Sequence, residues 1–272
     1  MINFNGEIFA KENFNLPYNN RAFYYGDALF ETLKFQNNQI QFLEDHYFRL
    51  MASMRMLRME IPLSFSLEFL EKEILKTIEA NKYDPARIRI QIFRKNGGFY
   101  LPKTNEINYL IEIYELGSTK KDSYELDVYK DFYVYSGMLS NLKSTNRIIN
   151  VTASIFAKEN NLDDCILLNE KKYVAETTKA NIFLVKANRV ITPALTEGCI
   201  KGIMRKKVIE EIKRIGMYEL LETEISPFEI QKADAVFITN SIIGIQPVTK
   251  YRKKIFNTAI VDLVTKDFSF SI

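Results

Sequence analysis

Residues 141–147 read Asn-Leu-Lys-Ser-Thr-Asn-Arg, and they place Lys143 between two segments of different pattern. Before the lysine, Val128 to Tyr135 is rich in β-branched and aromatic residues, which predicts a strand that ends in a turn at Ser136-Gly137. After the lysine, apolar residues recur at helical spacing from Ile148 to Asn160. A lysine at a strand–helix junction is usually a solvated charge, so its function has to be judged from the residues that follow it.

Two features downstream of Lys143, a glutamate and a glycine-opened helix, bear on that judgement. Glu176 comes just before a strand predicted at Asn181 to Val185, and Gly202 precedes a helix predicted at Ile203 to Ile215. A lysine amine can form a Schiff base, a carboxylate can keep a pyridine nitrogen protonated, and the N–H groups of a helix start can bind a phosphate. Pyridoxal phosphate requires these three groups, so the pattern predicts this cofactor.

The order of these and other motifs resembles that of the fold-type IV, or class IV, pyridoxal phosphate enzymes. That family includes aminodeoxychorismate lyase and the branched-chain and D-amino acid aminotransferases. The resemblance extends over nearly the whole chain, from Ile2-Asn3-Phe4-Asn5-Gly6 to Gln246-Pro247-Val248. It implies an α+β fold with a small α/β N-terminal domain, residues 1–117, and a larger C-terminal pseudobarrel domain, residues 118–272. It also implies a homodimer with the active site at the interface.

The resemblance assigns three residues to the reacting end of the cofactor. Lys143 is expected to bind the cofactor covalently and to act as general base and acid. Glu176 is expected to hold the ring nitrogen protonated, and its neighbour Thr177 to line the ring. A glutamate in a turn is usually only solvated, but the position of Glu176 shortly before Asn181-Ile182-Phe183 favours the functional interpretation.

The resemblance assigns four further residues to the cofactor phosphate. His46-Tyr47-Phe48-Arg49-Leu50 is similar to a His-x-x-Arg-Leu motif of the family, and Arg49 is therefore expected to bind phosphate with its planar guanidinium. The backbone N–H groups of Ile203 and Met204 are expected to do the same. Ser241 is either a phosphate ligand or part of a polar turn. We expect His46 to be structural, and Arg205 receives no role.

The substrate pocket is assigned only tentatively. We expect it to be built from loops around Tyr24, Lys34 and Arg94, together with Phe99. The Gly97-Gly98 loop is similar to the glycine loop of aminodeoxychorismate lyase. Some relatives carry an arginine just after these glycines, whereas this chain has Phe99-Tyr100, so a carboxylate-binding arginine is not expected at that position.

The periodicity of the remaining sequence predicts the elements around the site. The predicted strands and turns are a hairpin at 1–10, a loop at 20–27, and strands at 29–35, 87–92, 107–114, 165–168, 190–193, 218–224 and 235–239. The predicted helices are 43–57, 64–80 with Ser64 or Ser66 as N-cap, and 256–266. A polar linker at 117–121 marks the predicted domain boundary.

The composition is that of an ordinary globular protein, with 47% hydrophobic and 26% charged residues. The net charge of +3 is too small to indicate binding to nucleic acid or to a membrane surface. Two cysteines and one histidine predict no disulfide framework, no metal site and no Ser-His chemistry. The first residues carry no signal-peptide pattern, and we expect a cytoplasmic protein.

Two activities of the family remain open from the sequence. The first is 4-amino-4-deoxychorismate lyase, which releases pyruvate and 4-aminobenzoate for folate synthesis. It is favoured by Gly202-Ile203-Met204-Arg205, by Asn146-Arg147 after Lys143, and by the Gly97-Gly98 loop. The second is an aminotransferase for branched-chain or D-amino acids. A third interpretation is a homologue that binds the cofactor without turnover, which the presence of both Lys143 and Glu176 argues against.

Overall fold

Residues 2–9 form an antiparallel hairpin in the computed structural model, which describes residues 1–118 and 120–270. Asn5 and Gly6 both adopt positive φ angles, 52° and 93°, which these two residue types tolerate best. The turn therefore follows from the local sequence, and the predicted hairpin is confirmed.

The described residues contain the following regular elements. The strands are β1 Ile2–Phe4, β2 Glu7–Phe9, β3 Ala28–Gln36, β4 Gln39–Ile40, β5 Ala86–Arg94, β6 Ile107–Glu115, β7 Glu125–Val128, β8 Asp164–Leu168, β9 Val174–Thr177, β10 Asn181–Lys186, β11 Arg189–Pro193, β12 Glu219–Thr223, β13 Ala235–Asn240, β14 Gly244–Val248, β15 Lys250–Tyr251 and β16 Lys254–Ile255. The helices are α1 Arg21–Tyr25, α2 Leu43–Met56, α3 Leu67–Asn81, α4 Ile148–Glu159, α5 Ile203–Ile215, α6 Pro227–Gln231 and α7 Ala259–Thr265. None of these described helices is both long enough and apolar enough to cross a membrane.

The chain forms two compact units, and the first comprises residues 1–118 and 143–146. Its six-stranded antiparallel sheet has the order β2-β1-β6-β5-β3-β4. On the central strand β5, Ile88, Ile90 and Ile92 are buried, as their alternation with polar residues predicts. Helix α2 packs on β3, and α3 packs on β1 and β6. The oxygen of Ser66 accepts the Phe69 N–H at 3.2 Å, which confirms Ser66 as the N-cap of α3.

Residues 143–146 extend this sheet along the N-terminal half of β3. The Phe30 N–H donates to the Lys143 carbonyl at 2.8 Å, and the Thr145 N–H donates to the Ala28 carbonyl at 3.0 Å. These bonds flank a bridge between Leu29 and Ser144. Lys143 is therefore held by backbone bonds to a strand that lies more than 100 positions earlier in the sequence.

The second unit comprises residues 120–142 and 147–270 and contains two five-stranded sheets. Their strand orders are β12-β11-β10-β13-β14 and β16-β15-β7-β8-β9, with parallel pairs at β11–β12, β15–β7 and β7–β8. Ile182 and Ile238 of the first sheet share a core with Leu126 and Ile166 of the second. Helices α5 and α7 cover the opposite face of the first sheet, and α4 packs against β8.

Three predicted elements have different bounds in the structure, each for a local reason. The predicted loop at 20–27 contains α1, because the Asn20 side chain caps it by accepting the Ala22 N–H at 2.9 Å. The strand predicted at Val128 to Tyr135 ends at Val128, and pairing resumes only at the bridge between Val134 and Asn169. Polar Lys130 and Asp131 interrupt the apolar pattern there.

The last predicted helix begins three residues late, and one site residue lies in a different type of element. Helix α7 starts at Ala259, whose N–H donates to the Asn257 side chain at 3.1 Å, and short β16 precedes it. Glu176 lies within β9 rather than in a turn before a strand. The correction matters because a strand side chain at a buried position has a fixed direction, whereas a turn residue does not.

Candidate active site

Lys143 lies in the first unit, where two neighbouring side chains anchor its segment. The Lys143 amine is 4.4 Å from the centre of the Phe30 ring, a distance at which a cation is attracted to an aromatic face. Asn146 Nδ2 and Thr145 Oγ1 both donate to the Gly26 carbonyl, at 3.1 and 3.2 Å. A Cβ on Gly26 would come within 2.2 Å of Asn146 Oδ1, so this position requires glycine. Asn146, three residues after Lys143, therefore helps to anchor the segment that carries the lysine.

Arg49 belongs to a buried charged cluster with Glu31 and His46 in the same unit. Arg49 Nε donates to Glu31 Oε1 at 2.7 Å, and Arg49 Nη2 donates to Glu31 Oε2. His46 Nδ1 lies 2.7 Å from the same Oε2 atom. The Glu31 and His46 side chains are 2% and 1% exposed. The carboxylate therefore fixes the orientation of the guanidinium that we expect to bind phosphate.

The ionisation of this cluster follows from burial and its charges. Burial raises the pKa of Glu31, but the Arg49 charge and the hydrogen bonds from His46 and Arg49 outweigh it and lower the pKa to about 2. Burial lowers the pKa of His46, and the charges of Arg49 and Lys143 act in the same direction, against Glu31. At neutral pH Glu31 is ionised and His46 is neutral, so His46 Nδ1 donates to Glu31. His46 Nε2 has no hydrogen-bond partner within the described part of the chain.

The prediction did not include Glu31, although the sequence contains a signal for it. Leu29, Leu33 and Phe35 alternate along β3 and are buried, and Glu31 occupies the same face of that strand. A carboxylate at a core-facing strand position requires a cationic partner. The histidine and arginine of the helix that follows supply it.

Glu176 and Thr177 lie at the end of β9 in the second unit. Glu176 is 4% exposed, and its Oε2 accepts the Ile200 N–H at 2.9 Å. Thr177 Oγ1 accepts the Ala180 N–H and donates to the Ala180 carbonyl, both at 3.1 Å. The Thr177 hydroxyl thus closes the turn into β10, and its expected contact with the cofactor ring stays a prediction.

The start of α5 has the features of an anion-binding site. Gly202 is its N-cap and supplies no capping side chain for the first N–H groups, which include those of Ile203 and Met204. A Cβ on Gly202 would come within 2.0 Å of Asn181 Oδ1. On β13, which pairs with β10 at Asn181, the buried Thr239 Oγ1 has no hydrogen-bond partner among the described residues. Ser241 is half-buried in the turn after β13.

The three tentative substrate residues have different environments in the first unit. Tyr24 is 52% exposed on α1, and Lys34 is half-buried on β3. Arg94 is 6% exposed, and its guanidinium makes five hydrogen bonds, to both Asp27 oxygens, the Leu57 and Arg58 carbonyls and Asn105 Oδ1. Because an arginine side chain has only five N–H donors, we expect Arg94 to position the loop rather than to contact a substrate.

Comparison with known proteins identifies the family. The model of amino-transferase class IV matches residues 28–251, a range that includes Lys143, Arg49 and Glu176. The chain belongs to the class IV aminotransferase family. Enzymes of this family depend on pyridoxal phosphate, and this class IV protein is accordingly a pyridoxal phosphate-dependent enzyme.

Individual relatives of this class IV enzyme differ in activity. It is 30% identical to an aminodeoxychorismate lyase of Vibrio harveyi, over 86% of this chain and 87% of that protein. It is 26% identical to a D-alanine aminotransferase of Bacillus licheniformis, over 90% and 86% of the two chains. The branched-chain aminotransferase of Thermoproteus uzoniensis has the same fold, with a TM-score of 0.89 at 23% identity over 98% of this chain and 92% of that chain. The predicted fold class is confirmed.

The residues of this class IV enzyme fit the cofactor. The buried hydroxyl of Thr239, which has no hydrogen-bond partner among residues 1–118 and 120–270, and the α5 start, which Gly202 leaves without a capping side chain, both suit a phosphate. The buried Glu176 carboxylate suits a protonated ring nitrogen. Within residues 1–118 and 120–270, no group of three or more His, Cys, Asp or Glu could hold a metal ion.

Proposed function

We propose that this class IV enzyme is a 4-amino-4-deoxychorismate lyase, which releases pyruvate and 4-aminobenzoate. The observation that carries the proposal is the start of α5, where Met204 follows Ile203. Transaminases of the family more often have threonine there, and the apolar Met204 leaves one donor fewer. The 30% identity to the Vibrio harveyi lyase supports the same choice.

The proposed role of each residue follows from its chemistry. Bound pyridoxal phosphate supplies an electron sink for the charge that develops on the substrate carbon. The Lys143 amine removes and returns the proton at the substrate α-carbon, and Glu176 keeps the ring nitrogen protonated. Arg49 and the N–H groups of Ile203 and Met204 hold the phosphate, with Ser241 as a further donor. Glu31 and His46 orient Arg49.

The test is to mix cofactor-loaded protein with aminodeoxychorismate and to follow pyruvate with a coupled lactate dehydrogenase assay. We expect rapid release of pyruvate and an equal amount of 4-aminobenzoate. No pyruvate above the uncatalysed rate, from protein that is fully loaded with cofactor, would refute the lyase assignment.

An aminotransferase for branched-chain or D-amino acids is the second candidate. The match to the D-alanine aminotransferase over 90% of the chain favours it. Conversion of the bound cofactor to its amine form by L- or D-amino acids, followed by absorbance, would identify this activity and the preferred stereochemistry. Cofactor binding without turnover on either class of substrate would instead indicate a protein that has lost catalysis.

We further propose a homodimer with the active site at its interface. An aromatic patch in the first unit supports it: Phe23, Tyr24, Phe99, Tyr100 and Leu101 are between 52% and 90% exposed. The Tyr25 ring contacts the rings of both Tyr24 and Tyr100. An exposed apolar patch of this kind is typical of a surface that a partner covers.

We place the enzyme in the reducing cytoplasm. Cys165 and Cys199 are both free and buried. Burial raises the pKa of each thiol to about 12, so both are protonated and poorly reactive at neutral pH. Free thiols of this kind are usual in cytoplasmic proteins.

A further inference from the structure

The loop between β11 and α5, residues 194–202, connects two groups that have separate roles in the proposed function. The Ile200 N–H donates to Glu176 Oε2 at 2.9 Å, and the Ile200 carbonyl accepts from Asn181 Nδ2 at 2.9 Å. Asn181 Oδ1 also lies against Gly202, where an added Cβ would approach it to 2.0 Å. Ile200 thus bonds the Glu176 carboxylate through its N–H and Asn181 through its carbonyl, and Asn181 in turn lies against the start of α5.

A second asparagine binds the same loop. Asn141 Nδ2 donates to the carbonyls of Leu195, at 2.9 Å, and Cys199, at 2.7 Å. Asn141 ends a 3₁₀ turn and lies two residues before Lys143 in the chain. Both asparagines bond to backbone carbonyls, so their effect is on the path of the loop rather than on any of its side chains.

The loop needs such support because of its conformation. It contains a short 3₁₀ turn and Gly198 at a φ of 92°, and apart from that turn it forms no helix or strand. A buried carboxylate such as Glu176 has a defined orientation only where a donor is held in a fixed position. Without the two amides, the carbonyls of Leu195, Cys199 and Ile200 each lose one donor. Short-range backbone bonds remain at Leu195 and Ile200, but the loop is no longer tied to the side chains of Asn141 and Asn181, and the Ile200 N–H is free to turn away from Glu176.

We propose that Asn141 and Asn181 are positioning residues of this enzyme. By holding residues 195–202 they orient the Glu176 carboxylate toward the cofactor ring nitrogen, and they set the position of the α5 start that receives the phosphate. The proposal rests on the functions proposed above for Glu176 and α5. The asparagines act through Ile200 and Gly202.

The experiment compares Asn141→Ala and Asn181→Ala with a matched control, Gln246→Ala. Gln246 is also a buried amide, 2% exposed, and it bonds the Lys121 backbone at 2.9 and 2.8 Å.

Two quantities are measured: the Kd of the apo-protein for pyridoxal phosphate, and the pH midpoint of the visible absorbance of the bound cofactor. We expect each asparagine variant to raise Kd roughly tenfold, as loss of one or two directed hydrogen bonds predicts, and to shift the midpoint. The Gln246→Ala variant keeps both values.

Two further variants separate this proposal from the proposed function. Asn141→Asp keeps the size of the side chain but removes its N–H donors. It tests the same loss if Asn141→Ala fails to fold, and we expect it to raise Kd and shift the midpoint in the same way. Glu176→Gln is the reference for loss of the ring-nitrogen contact. If Glu176→Gln shifts the midpoint while both asparagine variants match Gln246→Ala, the positioning role is wrong and the function of Glu176 stands. If Glu176→Gln itself changes nothing, the function proposed for Glu176 fails, and the positioning role fails with it.

Discussion

Glu31, His46, Arg49 and Lys143 interact electrostatically as one group. Glu31 holds the Arg49 guanidinium with a pair of bonds, and His46 donates to the same carboxylate. The Lys143 charge helps to keep His46 neutral. A single buried anion therefore balances the arginine that we propose to bind phosphate, and its loss removes the carboxylate that holds the Arg49 guanidinium.

Removal of the Lys143 amine should abolish turnover while leaving the fold intact. We expect Lys143→Ala to lower kcat by roughly a thousandfold or more, because the variant lacks the proposed general base and acid. Borohydride reduction followed by intact-mass measurement should detect a covalent cofactor adduct in the wild type and none in the variant. Full activity in Lys143→Ala, or an adduct at another lysine, would contradict the assignment.

The Glu31 carboxylate should make the stability of the apo-protein depend on acid pH. Its folded-state pKa of about 2 is below the ordinary value of 4.5, so its stabilisation is complete above pH 4.5 and is lost as the pH falls toward 2. The lowered pKa of His46 adds a loss that begins below its ordinary value of 6.5, since the unfolded chain takes up a proton that the buried imidazole does not. Glu31→Gln should cost on the order of 3 kcal/mol at pH 7 and remove the contribution of Glu31 to the dependence between pH 4.5 and 2. Urea unfolding at several pH values measures both effects, and parallel curves for wild type and variant would refute the Glu31 contribution.

The bounds and the direction of helix α5 are set by the glycines that flank it and by the sheet on which it packs. Its bounds, Ile203–Ile215, agree with the sequence prediction, because Gly202 and Gly216 flank a run of regular helical periodicity. The apolar face of the helix, which includes Val208 and Ile212, packs on β10 and β13. That packing directs the N–H groups at its start toward the end of the sheet where Asn181 and Thr239 lie side by side.

The close approach at the start of α5 predicts a strong effect of a single methyl group. We expect Gly202→Ala to weaken binding of pyridoxal phosphate by roughly tenfold or more, because the new Cβ would overlap Asn181 Oδ1 and displace the first turn. Gly117→Ala is the control, since a Cβ there meets no atom of the described residues within 4 Å. Equal cofactor affinities of the two variants, measured by titration of the apo-proteins, would mean that the phosphate does not bind at this helix.

Exposed aromatic side chains are found at the 97–101 loop of the first unit, where Phe99 and Tyr100 are 83% and 90% exposed. Within the first unit, Arg21 holds the 97–99 loop by donating to the Gly97 and Phe99 carbonyls, at 3.3 and 2.6 Å. Arg21 and Arg94 both bond Asp27, so this buried ion cluster presents Phe99 and Tyr100 in a fixed loop. A fixed, exposed apolar loop suits an interface better than a mobile lid.

Replacement of that loop's apolar side chains should dissociate the proposed dimer. We expect the double variant Tyr100→Ser, Leu101→Ser to sediment as a monomer at micromolar concentration, because both side chains are at least 84% exposed in the single chain and supply much of the aromatic patch. Leu63→Ser changes an exposed leucine outside the patch and serves as the control. A wild-type protein that is already monomeric would refute the homodimer, and an unaffected dimer in the double variant would refute the role of this patch.

Local patterns in the sequence were sufficient for most helices and strands and for the choice of cofactor. The Asn5-Gly6 hairpin, the alternation along β5, the Ser66 cap and the glycine that opens α5 each depend on residues close together in the chain. The order of the motifs indicated the class IV family and therefore the cofactor, and the comparisons confirm both. The roles of the individual site residues, the two-domain boundary and the exact reaction stay predictions.

Only the tertiary structure decided what each side chain contacts. Glu31 and Arg49 are 18 residues apart, Asn181 and Ile200 are 19 apart, and Lys143 joins a strand that ends at Gln36. Arg94, which the sequence placed tentatively at the substrate, has all five donors bonded within the protein. The physical reason is that periodicity determines which residues of one element share a face, whereas a hydrogen bond between elements depends on the packing that brings those faces together.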